Sequence, residues 1–239
     1  MRLYIHADSG QRPSFHIPWD YHMSFRAFIY DALDTHEPDL AKELYESNAA
    51  PPYSFSEFVT TAPYKATDSG LSCQAGYWVL NSSDARIIDA IANHARAEEL
   101  QLGHTVIPVE GVEMEQIQPE SNAEYEALSP IYSTIYRGDD RVPLMPDDPM
   151  WAVQIRNSVQ KRMKAAGRFP EDFQLDIVEI NSWESDGWRI NEDHIRQCAQ
   201  CEFELRADET TSHFIQRQGI SEGSGVGLSC VMPIEHKPE

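Results

Sequence analysis

The sequence predicts an α+β fold of two tandem ferredoxin-like units. Strand-like and helix-like patterns follow one another in a β-α-β-β-α-β order through residues 1–138. They recur, less completely, through residues 139–239. A turn-rich stretch, Gly138-Asp139-Asp140 followed by Pro143 to Pro149, separates the halves. A chain of 239 residues is long enough for two small domains, and its 41% hydrophobic and 10% aromatic residues can fill their cores.

Each element has its own signal. Residues 1–7 alternate apolar and polar, as a strand does. Ser24 to Asp34 reads as a helix because Phe25, Phe28, Ile29 and Leu33 share one face. Pro38 restarts the chain as the first residue of a second helix that runs to Glu46. Tyr53 to Val59 and Gly76 to Leu80 read as strands. Asn81-Ser82-Ser83 then caps a helix whose inner face is Ile87, Ile88, Ile91 and Ala95. Thr105 to Met114 and Leu128 to Tyr136 read as two further strands. In the second half a helix spans Met150 to Ala166, strands span Gln174 to Ser182 and Arg196 to Leu205, and a helix spans Glu209 to Gln218. A glycine-rich loop and a strand over Leu228 to Pro233 close the chain. The first strand of this second unit is either Leu128 to Tyr136 or missing.

Charge sets the constraint on partners. With 39 acidic and 19 basic residues the formal net charge is -20, and only five of the cations are Lys. Such a composition suits concentrated salt, where the Debye length shrinks to ~3 Å at 1 M and only local charge matters. A polyanion would therefore need a basic island. Residues 151–168 supply one. Arg156, Lys161, Arg162, Lys164 and Arg168 fall among eighteen residues without a single acid, and Trp151, Ile155, Val159 and Met163 repeat every four residues as the buried stripe. The cations then face outward, toward a phosphate backbone or simply toward solvent. No apolar run approaches a membrane span and no secretory pattern opens the chain, so the expected location is cytoplasmic with no membrane partner. Cys198 and Cys201 form a C-x-x-C, but no second pair completes a zinc site. In a strand their side chains would point to opposite faces, so no metal or cofactor is expected and the thiols read as reduced.

The run Gly219-Ile220-Ser221-Glu222-Gly223-Ser224-Gly225-Val226-Gly227 connects a helix to a strand. Glycines at Gly219, Gly223, Gly225 and Gly227 permit positive φ and a close approach of backbone amides to phosphate. No Lys-Ser/Thr pair makes it a nucleotide P-loop, and the helix-loop-strand order is not that of a dinucleotide site. The nine histidines show no metal spacing. His22 and His36 flank the first helix, Tyr30 lies on it, and Tyr45 ends the second.

Taken in order, these pieces resemble the repeat-processing CRISPR endoribonucleases of the RAMP superfamily. The resemblance runs through Ile17 to Tyr21, Ala27 to Leu33, Pro38 to Glu46, Tyr53 to Phe58 and Ala127 to Ile131. It ends at the loop where Gly219 stands six residues before Gly225-Val226-Gly227. It implies two tandem ferredoxin-like (RAMP/RRM-like) folds, binding of CRISPR repeat RNA, and metal-independent cleavage. In that reaction a 2′-hydroxyl attacks the adjacent phosphate, leaving a 2′,3′-cyclic phosphate and a 5′-hydroxyl. The family's tyrosine on the first helix matches Tyr30. Its histidine ending the second helix is replaced by Tyr45, and the basic residue of the next loop is absent from Asn48-Ala49-Ala50-Pro51-Pro52. Tyrosine, with a reference pKa of about 10, is a poor base at neutral pH. The resemblance therefore leaves three readings. In one, His36 or His22 moves the proton; in another, Tyr30 and Tyr45 support slow cleavage. In the third the chain binds crRNA without cutting it, as a subunit of a CRISPR effector complex. The expected phosphate contacts are Arg156, Lys161, Arg162 and the amides of the glycine loop.

Overall fold

A computed structural model describes residues 1–47, 49–97, 99–191 and 194–237, so Asn48 lies outside the described residues. The content is 30% helical and 41% strand, and the architecture is α+β with tandem ferredoxin-like folds. The chain packs as two compact units, one of Met1–Asn48 with Ser56–Gln116 and the other of Ala49–Phe55 with Ile117–Glu239. Residues 117–138, read from sequence as the end of the first unit, thus pack with the second. The reason is visible in the core there, where Tyr125, Ala127 and Ile131 are buried against Trp151 and Phe203.

The first stretch runs β1 (Arg2–Asp8), β2 (Phe15–Pro18), α1 (Tyr21–His36), α2 (Pro38–Glu46), β3 (Tyr53–Phe55), β4 (Val59–Thr60), β5 (Tyr64–Thr67), β6 (Gly70–Cys73) and β7 (Ala75–Ser82). It continues with α3 (Ala85–Ala97), β8 (Leu100–Leu102), β9 (Thr105–Ile107) and β10 (Val109–Glu115). In the first unit the sheet order is β10-β1-β7-β4, antiparallel throughout, which is the 4-1-3-2 order of a ferredoxin-like unit. The strands β2-β6-β5 form a separate small sheet, and β8 with β9 forms a hairpin. Helix α1 starts three residues before the expected Ser24 because Tyr21 and His22 are themselves buried. The run 53–59 breaks in two at Ser56, whose hydroxyl donates to Glu57 O at 2.6 Å and accepts the Val79 N–H at 2.8 Å.

The core of this unit centres on Trp78. Its ring lies 5.3 Å from that of Phe25 and 4.5 Å from that of Phe58, centroid to centroid. The start of the central strand β1 holds a buried cation. Arg2, fully shielded from solvent, donates from Nε to Asn81 Oδ1 at 3.0 Å and from Nη1 to Glu115 Oε2 at 3.2 Å. Tyr4 donates to the same carboxylate oxygen at 2.9 Å.

The second unit contains β11 (Asn122–Ala127), β12 (Thr134–Arg137), β13 (Asp140–Pro143), α4 (Met150–Ala165), β14 (Leu175–Asn191), β15 (His194–Ala207), α5 (Glu209–Gln218) and β16 (Val231–Pro233). Its sheet order, β14-β15-β11-β16, is again that of a ferredoxin-like unit. Of the expected strand at 128–136 only Thr134 to Tyr136 forms, as part of β12, which pairs with β13 and not with the main sheet. Pro130 has no N–H to give a ladder, and the chain there instead turns back, with Leu128 N–H donating to Cys230 O at 2.8 Å. The opening strand is β11, where the Glu124-Tyr125-Glu126-Ala127 alternation places Tyr125 and Ala127 in the core. The β14-β15 hairpin runs beyond the expected strand ends because a second apolar cluster of Trp188, Cys198, Tyr132 and Leu228 supports it. Cys198 joins that cluster while Cys201 joins the helix-side core. Burial lifts the Cys201 thiol to about 12, helped by the Glu202 charge.

Helices α4 and α5 cover one face of this sheet. The opposite face carries carboxylates in register, Glu124 facing Glu204 and Glu126 facing Glu202 across β11 and β15. Like charges directly opposite on antiparallel strands are destabilising. Added salt is therefore expected to raise the melting temperature steadily from low ionic strength, and a melt that ignores salt would show these rows to be fully solvated.

Candidate nucleic-acid interface

In the first unit the structure sorts the expected catalytic side chains into two groups. The rings of Tyr30 on α1 and Tyr45 on α2 meet at a 35° tilt with centroids 4.5 Å apart, Tyr30 buried and Tyr45 62% exposed. Arg26, one helical turn before Tyr30, lies over its ring at 5.4 Å. Desolvation, then the Asp34 and Tyr30 charges, raise the Tyr45 hydroxyl above its ordinary range against the opposing pull of Arg26. Tyr45 is therefore a protonated donor at neutral pH and not a base.

His36 is not in this group. It stands six residues after Tyr30, which is about 120° around an α-helix. Its ring meets that of His94 on α3 edge-on, with centroids 5.8 Å apart. His94 is buried, packs against the Phe28 ring at 5.2 Å, and brings Nε2 to 3.4 Å from Asp31 Oδ2. His36 itself is exposed, whereas His22 is buried against Tyr21 and does not face solvent. Arg26 was legible as the residue four before Tyr30 on a predicted helix. His94 and Asp31 meet across two helices and carried no such signal.

In the second unit the basic helix α4 buries Trp151, Ile155, Val159 and Met163 as expected, but its cations differ in what they touch. Arg156 pairs with Asp176 at 3.3 Å and lies 5.8 Å from the Phe173 ring centre. Lys164 sits over Phe169 at 4.7 Å, and Lys161 is exposed. Arg162 is turned inward. It donates from Nη1 to Gln218 O at 2.9 Å and from Nη2 to Gly219 O, with its guanidinium over the Phe214 ring at 5.4 Å. Desolvation lowers it to about 10, partly offset by Glu222, so it stays charged. Its donors thus close the C-terminal carbonyls of α5, which a helix end leaves without partners.

The glycine loop is likewise packed. Gly219 donates its N–H to Ile215 O at 2.8 Å, Val226 to Gly223 O at 2.9 Å and Gly227 to Ser224 O at 3.2 Å. The amides of Gly219 and Gly227 are thus engaged by backbone carbonyls. Steric need explains the residue type. A Cβ on Gly225 would lie 2.5 Å from Pro51 Cγ, and Gly223 takes φ +82 with Leu228 Cδ1 only 2.9 Å from where its Cβ would be.

Side chains around the loop were not foreseen. Tyr132 is joined to Glu222 by an antiparallel bridge, and its ring carries Arg141 at 5.2 Å and Arg196 at 4.9 Å. Arg141 also pairs with Glu222. These residues lie far apart in the chain, and only the fold joins them.

The chain thus holds two ferredoxin-like units, the second with a glycine-rich loop beside Arg141, Arg162 and Arg196. Solved structures match it over nearly the whole length. One named as a CRISPR-associated protein Cas6 has TM-score 0.79 at 19% identity, covering 98% of this chain and 99% of that one. A RAMP protein named as binding different RNA substrates has TM-score 0.81 at 20% identity, covering 98% and 100%. A Cas6-related protein from Pyrococcus furiosus has TM-score 0.78 at 20% identity, covering 99% of each. The fold is therefore that of the Cas6 and RAMP structures. No protein-family model matches the sequence, and no curated protein does. Among the described residues no helix is long and apolar enough to cross a membrane.

Proposed function

We propose that this chain binds CRISPR repeat RNA and acts as a metal-independent endoribonuclease that cuts precursor crRNA. The support is the correspondence of both units, end to end, with structures named for Cas6, one relative being named as binding RNA. Cleavage needs a base on the 2′-hydroxyl, an acid for the leaving 5′-oxygen and charge to offset the phosphorane. His36, exposed at the end of α1, has the side chain whose ordinary pKa suits proton transfer. Protonated Tyr45 can donate, Tyr30 packs against it, and Arg26 brings positive charge to the same pair. Lys161 and Arg156 contribute to holding the RNA backbone, with crRNA the product that stays bound.

A second reading, binding of crRNA without cleavage as a subunit of an effector complex, has its own support. The Tyr30–Tyr45 pair contains no imidazole, and His36 faces His94 instead.

The test is incubation with a labelled CRISPR repeat RNA in salt and EDTA. A single cut leaving a cyclic phosphate is expected. His36→Ala should then slow it by roughly a hundredfold, the size of one general acid-base contribution. Tight binding with no cut would select the second reading, and absence of both would reject the proposal.

A further inference from the structure

Glu222 is placed oddly for a chain that must attract a polyanion in its second unit. It stands in the glycine loop, its backbone pairs with Tyr132, and both guanidinium groups on the Tyr132 ring belong to arginines beside the loop. Arg141 gives Nη2 to Glu222 Oε2, with side chains 38% and 45% exposed. Arg196 lies on the same ring, its Nη1 3.5 Å from where a Cβ on Gly223 would sit, and its Nε is buried with no hydrogen-bond partner among the described residues. The Glu222 charge also reaches Arg162, where it opposes the effect of burial. One carboxylate thus occupies a place built from cations, and its oxygens accept what phosphate oxygens accept.

We propose that Arg141 and Arg196, held on the Tyr132 ring beside Gly223, form a phosphate subsite for RNA that Glu222 fills in the free protein and must vacate when a phosphodiester binds. The inference rests on the RNA-binding reading and deepens it by naming an internal competitor. Tyr132 keeps the guanidinium planes in position from below, which limits the entropy lost on binding. Glycine at position 223, φ +82, lets Leu228 and the Arg196 guanidinium pack against the loop backbone. Because Glu222 neutralises Arg141 in the free protein, part of the counterion release that normally accompanies phosphate binding is suppressed.

The test is Glu222→Gln in the full chain, with two probes. Against labelled CRISPR repeat RNA, affinity should rise by roughly tenfold at low salt and the slope of log K against log salt should steepen by about one. Against inorganic pyrophosphate, the variant should gain thermal stability where the parent gains little. Arg141→Met should weaken RNA binding and remove most of the gain from Glu222→Gln when the two are combined. Both residues are substantially exposed, and a circular dichroism melt of each variant verifies that it folds. RNA binding that Glu222→Gln leaves unchanged or weakens, with no pyrophosphate effect, would overturn the subsite. Pyrophosphate stabilisation of a variant that binds no RNA would uphold the anion site and reject the RNA reading.

Discussion

Gly227→Ala is expected to destabilise the second unit by about 3 kcal/mol in a urea melt. Gly227 has φ +81, and a Cβ there would lie 2.4 Å from Phe55 Cε2 and 3.1 Å from Trp188 Cζ2. Placing a side chain in the left-handed region costs roughly 1–2 kcal/mol, and overpacking a closed core costs about 1–3 kcal/mol. Both rings belong to well-buried residues, so the collision cannot be relieved at the tip of a flexible side chain. Gly10→Ala is the control. Gly10 has φ +58 but nothing within 4 Å of a Cβ, so only the backbone component applies. Equal losses at both sites would show that the loop moves aside and that contact with Phe55 and Trp188 is not what demands glycine.

Glu115→Ala is the second large effect, about 3 kcal/mol in the first unit. Arg2 is fully buried, and its Nη2 already has no hydrogen-bond partner among the described residues. Removing Glu115 leaves that charge without its counterion, and truncating one partner of a buried pair typically costs about 3–5 kcal/mol. The exposure of Glu115, 38% for its side chain, puts the expectation at the lower end. Arg2→Met combined with Glu115→Ala should recover most of the loss, because an apolar chain needs no partner. A double variant as unstable as Glu115→Ala alone would show that Tyr4 or the strand pairing, and not the ion pair, depends on Glu115.

Buried Arg2 marks a boundary of what the sequence could tell. Polar Arg2 at the head of an alternating run gives no sign of burial, yet the strand lies between β7 and β10 and is shielded on both sides at its start. Helices were more legible. The stripe Ile87, Ile88, Ile91 and Ala95 and the stripe Trp151, Ile155, Val159 and Met163 are all buried, because a helix of period 3.6 shows its inner face in any short window. The 128–136 region misled because Leu128, Ile131 and Tyr132 are apolar without belonging to a named strand and only Thr134 to Tyr136 joins a ladder, while β11 carries Glu on alternate positions, unlike an apolar central strand. His36 was assigned to the tyrosines by nearness in sequence. The Tyr132, Arg141, Arg196 and Glu222 assembly had no local trace, since each member lies on a different strand or loop.

The facing carboxylates Glu124 with Glu204 and Glu126 with Glu202 bear on how an encounter begins. A polyanion diffusing toward the second unit meets unlike potentials at two places, repelled by these carboxylates and drawn toward Arg141 and Arg196 by the loop. Collisions at the carboxylates are short-lived, and those that persist already have the strand beside the arginines. The acids thus raise the fraction of useful collisions without touching the ligand, and they do so most at low salt, where the sheet that carries them is least stable.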